Sequence, residues 1–291
     1  MRVRGKLVLV AAALGLFAAV SSTSHAALIA YEGFNYADST ALNSLAGGTG
    51  WSDAWTAVPG TGGAAVAQSP GAIYPLLVTE GNTAFLQRTN QASRTLTAGV
   101  LGTGATADDT IWVSFIGQRT GANSVRLFRV GFYEASTAND PKFLVGEGNN
   151  DAADIWNMRF TGADLTGANP ITSAVPITTQ SLLLMKIDYN SAGLGLDDIS
   201  MWINPDLSLG EPTNVSPSFV GSSIGEFDLA FSVVSMRAGT LSGGNEGQGF
   251  YDEIRIGTTF ADVTPVPEPG ALALIMLGVS SVFVMARRKQ N

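Results

Sequence analysis

The chain has 291 residues, 24 acidic against 16 basic, one His and no Cys. Without Cys there is no disulfide, no thiolate nucleophile and no Cys-bound zinc, and the lone His25 falls in a segment read below as removed, which leaves neither a Ser-His-Asp mechanism nor an imidazole ligand for zinc. The formal charge of −8 argues against nucleic acid as a partner, and 34 Gly with only 14% charged residues fit poorly with a helical bundle or an acidic disordered chain.

Residues 1–26 read as a secretory signal peptide. Arg2, Arg4 and Lys6 precede an uncharged apolar run over 7–20, and Ser24 and Ala26 place small residues before a cleavage point between Ala26 and Ala27. From Ala27 onward the pattern has period two. Residues 27–34 are strand-like. The stretch 111–116 is apolar on both faces apart from Ser114, as a central strand would be. Phe128, Val130 and Phe132 share a face. So do Leu183, Met185, Ile187 and Tyr189, then Ile199, Met201 and Ile203, then Phe227, Leu229, Phe231 and Val233. Residues 250–256 read as a last strand that pairs with 27–34. Turn-forming runs at 47–50, 60–63, 146–150, 204–206 and 243–245 separate these segments. No amphipathic helix and no internal repeat is visible. The expected fold class is all-β, a two-sheet antiparallel β-sandwich or jelly roll.

The C-terminus repeats the export pattern in reverse order. Pro267-Glu268-Pro269 precedes an apolar run over 271–286, and Arg287, Arg288 and Lys289 close it. A helix of that length is roughly 24 Å long, so it would span a bilayer as a single transmembrane helix only with thinning or snorkelling. Basic residues flank both apolar runs on the side that should stay cytoplasmic. Three basic residues leave with each end and Glu268 leaves with the tail. The exported part then keeps 10 basic against 23 acidic side chains, a charge of −13.

This order of parts resembles the PEP-CTERM sorting signal. The resemblance implies a Gram-negative-type bacterium and recognition by a membrane-embedded exosortase, with anchoring through the C-terminal helix until the tail is cleaved. The product would then reach the cell surface or an exopolysaccharide matrix. A second resemblance rests on Leu28-Ile29-Ala30-Tyr31-Glu32-Gly33-Phe34-Asn35-Tyr36, on Gly48-Thr49-Gly50-Trp51 with Trp55, and on Ile111-Trp112-Val113-Ser114-Phe115. It continues through Met201-Trp202-Ile203-Asn204-Pro205-Asp206 and Tyr251-Asp252-Glu253-Ile254-Arg255-Ile256-Gly257-Thr258-Thr259. Together these are similar to exported LamG-like proteins, which implies a concanavalin A-like jelly roll. The expected domains are a signal peptide over 1–26, a LamG-like sandwich over 27–263 and a sorting signal over 264–291.

Candidate chemistry is sparse. A glycosidase needs two carboxylates at a set separation. Asp252 and Glu253 are adjacent, so in a regular strand they point to opposite faces; Asp197 and Asp198 share that defect. Alternation puts Asp252 on the inner face with Phe250, Ile254 and Ile256, and pairs Glu253 with Arg255 at the surface. Glu147, Asn149, Asn150, Asp151 and Asp154 crowd one Gly-rich stretch with the oxygen donors calcium uses, though without the order of an EF-hand. LamG-like sandwiches often carry calcium, so the resemblance supports it as a cofactor. Trp51, Trp55 and Trp202 are candidate platforms for a sugar ring, whereas Trp112 reads as core. The expectation is an exported, non-catalytic module with a structural or glycan-interacting role. The alternatives are a divergent glycoside hydrolase or lyase on the same fold, or a passive matrix component without a ligand.

Overall fold

A computed structural model describes residues 28–58, 64–87, 89–103, 109–120, 127–134, 141–147, 154–160, 171–189, 197–212, 219–221, 229–239 and 247–266. The expected signal peptide with its cleavage pair Ala26 and Ala27, and the tail from Pro267 onward, lie outside them.

In chain order the strands are β1 (Leu28–Glu32), β2 (Thr56–Val58), β3 (Val66–Gln68), β4 (Thr83–Leu86), β5 (Gln91–Thr95), β6 (Thr110–Arg119), β7 (Phe128–Tyr133) and β8 (Pro141–Glu147). They continue as β9 (Ile155–Phe160), β10 (Ile171–Pro176), β11 (Ser181–Asp188), β12 (Asp198–Ile203), β13 (Phe219–Gly221), β14 (Val233–Ala238) and β15 (Gly249–Gly257), followed by one short helix, α1 (Phe260–Val263). One sheet runs β13-β12-β11-β6-β15-β4-β3, with β1 also paired to β15; the other runs β10-β9-β8-β7-β14-β5-β2. Every described pairing is antiparallel. The fold is therefore the all-β, two-sheet sandwich expected, and it is consistent with a concanavalin A-like jelly roll.

Period-two alternation builds the core between the sheets. Phe128, Val130 and Phe132 of β7 meet Phe143 and Val145 of β8 and Leu183, Met185 and Ile187 of β11 in one buried cluster. The central strand β6 is buried on both faces. Ile111, Val113 and Phe115 face the other sheet, while Trp112 and Ile116 face outward into a second cluster with Leu182, Leu184, Trp202 and Phe260. That second cluster is why 111–116 reads as apolar throughout.

Alternation fails in two places. Leu229 and Phe231 lie in the core, but β14 begins at Val233 and turns Val234, Met236 and Ala238 inward instead. In β15 the pairing with β6 shifts between Asp252 and Arg255, and Glu253 adopts φ +54. A bulge inserts one residue and reverses the faces that follow. Tyr251, Ile254 and Ile256 are the core residues of β15, and Phe250 packs against the second cluster. Asp252 thus shares a face with Phe250, but that face is the outer one beside Ala72, and Ile254 and Ile256 lie on the inner face instead.

Candidate functional site

The root of the sorting segment is built into the sandwich. After β15, α1 opens with a capping box: the Asp262 amide donates to the Thr259 hydroxyl (3.3 Å) and the Thr259 amide to the Asp262 carboxylate (2.9 Å). Phe260 meets Trp112 edge-on, with 5.7 Å between ring centroids. Ser114 Oγ donates to the Val263 carbonyl at 2.6 Å, and Thr264, itself buried, donates to the Phe260 carbonyl at 2.8 Å. The Val78 amide then donates to the Pro265 carbonyl at 3.0 Å. The packed body continues to Pro265, two residues past the expected boundary at 263 and two residues short of Pro267.

The two ends of the described sandwich meet in one place. β1 pairs with the end of β15, Leu28 opposite Gly257. A cavity of about 540 Å³ opens there, lined by Leu28, Tyr31, Val78, Arg255, Phe260 and Pro265 among others. Leu28, the first described residue, and Pro265, where the packed body ends, therefore line the same rim of the sandwich.

The carboxylates behind this rim are locked in place. Asp252 Oδ2 accepts from the Ala72 amide and Oδ1 from the Glu253 amide, each at 2.8 Å. Burial pushes the Asp252 carboxyl up to about 8, with Glu253 adding to the shift. The Glu253 side chain binds Arg255, the Tyr31 hydroxyl and the Glu80 amide. Burial also raises Glu253, against the pull of the Arg255 charge. The Glu253–Arg255 pair is buried, not a surface pair as expected, because the bulge turns both side chains into the fold. Arg255 lies over the Tyr31 ring at 4.8 Å and donates to the Val78 carbonyl at 2.6 Å.

The Trp candidates are corrected by their surroundings. Trp55 is 1% exposed and stacks on Phe34; its Nε1 donates to Glu32 at 3.0 Å. Glu32 is wholly buried and also accepts from the Phe34 amide, the Tyr36 hydroxyl and Arg94 (2.6 Å). Trp51 is half-buried, donates to the Tyr31 carbonyl at 3.0 Å, and lies under the Arg94 guanidinium at 5.2 Å. Arg94 further donates to the Asp53 and Gly47 carbonyls. Between them runs Gly48-Thr49-Gly50, where a Cβ on Gly50 (φ +79) would lie 1.9 Å from the Ile29 carbonyl oxygen. The motifs around Glu32 and Trp51 thus form one buried network that ties β1 to β5, and no open sugar platform. Trp202 does point away from Ile199, Met201 and Ile203, but it is only 9% exposed and stacks on Trp112 at 5.9 Å.

Of the acidic stretch after β8, the described carboxylates Glu147 and Asp154 are taken up by an arginine. Glu147 is wholly buried with one carboxylate oxygen 3.2 Å from Arg119 Nε, and Asp154 binds the same guanidinium. A cation there would have to displace Arg119. Asn149, Asn150 and Asp151 lie outside the described residues, and among the described residues no three His, Cys, Asp or Glu side chains group around a possible metal position. The sequence offered no signal for Arg119, which lies far from these carboxylates along the chain.

No curated protein matches this chain. Among solved structures it is similar to the endo-beta-1,4-glucuronan lyase from the fungus Trichoderma reesei, at 12% identity and a TM-score of 0.44, over 82% of this chain and 99% of that one. It is similar also to a carbohydrate esterase, vb_24B_21, from the Shiga toxin-encoding bacteriophage phi24B, at 11% identity and a TM-score of 0.45, over 80% and 99%. The fold assignment rests on the strand registers above, and these distant likenesses carry nothing about substrate. Among the described residues no helix is long and apolar enough to cross a membrane; the expected span over 271–286 lies outside them. The motif residues Pro267, Glu268, Pro269, Arg287, Arg288 and Lys289 lie outside them too, but their sequence is decisive. Residues 265–289 match the PEP-CTERM protein-sorting motif, which marks an exported protein whose C-terminus is held in the membrane until an exosortase processes it.

Proposed function

We propose that this protein is delivered to the cell surface or extracellular matrix of a Gram-negative-type bacterium, where its sandwich serves a non-catalytic, structural or glycan-interacting role. The observation that carries the reading is the match over 265–289, which begins at the residue where the packed body ends. Export with a processed tail is the chemistry of that segment, and the folded part is what delivery leaves outside. The transmembrane helix over 271–286 anchors the precursor, and exopolysaccharide is the neighbour the mature protein meets.

The absence of catalysis is supported by the state of the carboxylates. Asp252 and Glu253 are held by backbone amides, Tyr31 and Arg255, so both carboxyls are engaged inside the fold rather than presented to a substrate. Mass spectrometry of the protein from its native host tests the delivery. A mature C-terminus near Pro267–Gly270 is expected, and an intact chain ending at Asn291 would sink the reading. Release of new reducing ends or unsaturated sugars from host exopolysaccharide would instead assign the sandwich a hydrolase or lyase activity.

A further inference from the structure

The outer face of the eight-stranded sheet is crossed by a strap, residues 71–79, that carries no charged side chain. Both ends of the strap hang on the bulge of β15: the Ala72 amide donates to Asp252 at 2.8 Å and the Glu80 amide to Glu253. Between them Gln180 Nε2 donates to the Ile73 carbonyl at 2.7 Å, the Tyr74 hydroxyl to the Pro205 carbonyl at 3.1 Å, and Arg255 to the Val78 carbonyl. Ala72 and Leu77 pack down into the second cluster with Trp112, Trp202 and Leu207.

The upper side of the strap is apolar as well. Ile73 is 77% exposed, and Leu76 and Val78 are exposed beside it. Leu76 holds φ +66, a left-handed conformation unfavourable for a residue other than glycine. Leu209, 72% exposed, ends the single 3-10 turn Leu207–Leu209, whose Leu207 belongs to the cluster under the strap. Leu28 joins Val78 at the cavity on the rim. These five are the exposed large hydrophobic residues among the described residues, and they gather on this face and its rim. A cluster of exposed apolar side chains marks a contact surface, whereas the same residues scattered singly would not.

What covers the patch follows from where the chain goes next. The strap holds the Pro265 carbonyl through the Val78 amide, and the apolar run over 271–286 begins six residues later. Fully extended, six residues reach about 20 Å. While the tail is held in the membrane, the strap is therefore confined close to the bilayer.

We infer that the strap and Leu209 rest on the lipid surface while the precursor is anchored, so that the sandwich lies on the bilayer by its eight-stranded sheet. Ile73, Leu76 and Leu209 enter the boundary between headgroups and acyl chains, where Tyr74 is a residue type that is enriched. The strap has no basic residue and exposed Glu80 and Asp206 stand beside it, so the surface it fits is zwitterionic lipid and not anionic lipid. The inference rests on the anchored-tail reading above and adds the orientation of the folded body.

The chain has no Cys, so an introduced cysteine carries a fluorophore at one position only. The test uses the full-length chain in phosphatidylcholine nanodiscs, one copy per disc, labelled at Leu76→Cys or, as a reference, at Thr172→Cys, which is exposed on β10 of the other sheet. The Leu76 label should emit to the blue of the Thr172 label, and lipids spin-labelled high on the acyl chain should quench it about 5-fold more strongly. Adding Ile73→Ser and Leu209→Ser, both at exposed positions, should bring the quenching down toward that of Thr172. Raising the salt should leave it unchanged, because no charge pair drives the contact. Equal lipid quenching at the two positions overturns the inference. So does a Leu76 label that is shielded from aqueous iodide yet not quenched by lipid, which means that protein covers the strap. In both cases a chain retained in the disc keeps the anchored-tail reading; a chain that is not retained removes both.

Discussion

At the scale of single residues, Glu32 organises the N-terminal third of the sandwich. Its carboxylate gathers Arg94, Trp55, Tyr36 and the Phe34 amide in a site closed to water. Burial, with the Glu32 charge, pushes the Tyr36 hydroxyl up to about 12, so it stays protonated as a donor. Breaking a buried ion pair from one side strands the other charge, at about 3–5 kcal/mol. Glu32→Gln should therefore lower the unfolding free energy by roughly that amount, read by urea denaturation; a loss below about 1 kcal/mol would show that Arg94 is satisfied by its carbonyl partners alone. The aromatic residues around Glu32 are legible in the sequence as a motif. Their role is not, because a Trp beside a Gly-rich turn looks the same whether its ring meets solvent or a carboxylate.

At the scale of elements, β15 and α1 join the fold to its sorting tail. The bulge at Glu253 re-aims its own carboxylate and Arg255, the capping box starts α1, and Pro265, which cannot continue a helix, ends it after one turn beside Val78. Removing the cap hydroxyl with Thr259→Ala should cost about 1 kcal/mol. The same variant should speed limited proteolysis near 258–266 relative to the rest of the chain, which mass mapping of the fragments would reveal. Uniform proteolysis along the chain would mean that α1 does not act as a separate clasp. The strand pattern of β6, β7, β11 and β12 is readable from alternation alone, since each buries one regular face. β14 and β15 depart from it where the chain shifts register, and a register shift leaves no mark on residue type.

At the scale of the whole molecule, stability should depend on pH through the carboxyls behind the shared rim. Unfolded, Asp252 loses its proton near pH ~4, whereas burial in the fold holds the proton up to about 8. Between these values the folded state binds the extra proton, so stability falls as pH rises toward 8 and levels off above it. Glu253 shifts in the same direction. Urea unfolding at about pH 5 and pH 8 should show the decline, and Asp252→Asn should make the curve flatter. A wild type that gains stability over this range would contradict the assignment.

The sequence by itself determined export, the fold class and the lack of any Cys chemistry. The sorting motif is a linear code read by another machine, and period-two alternation follows from strand geometry without any partner. Missing Cys and His side chains cannot be restored by folding. Only the tertiary structure decided which polar residues meet. It brought Glu32 to Arg94, set Glu147 and Asp154 on Arg119, closed Trp55 and Trp202 inside, and laid Arg129 against Arg237. Those meetings depend on which strands are neighbours and on single-residue bulges. Both are set by long-range packing, which residue spacing along one chain does not encode locally.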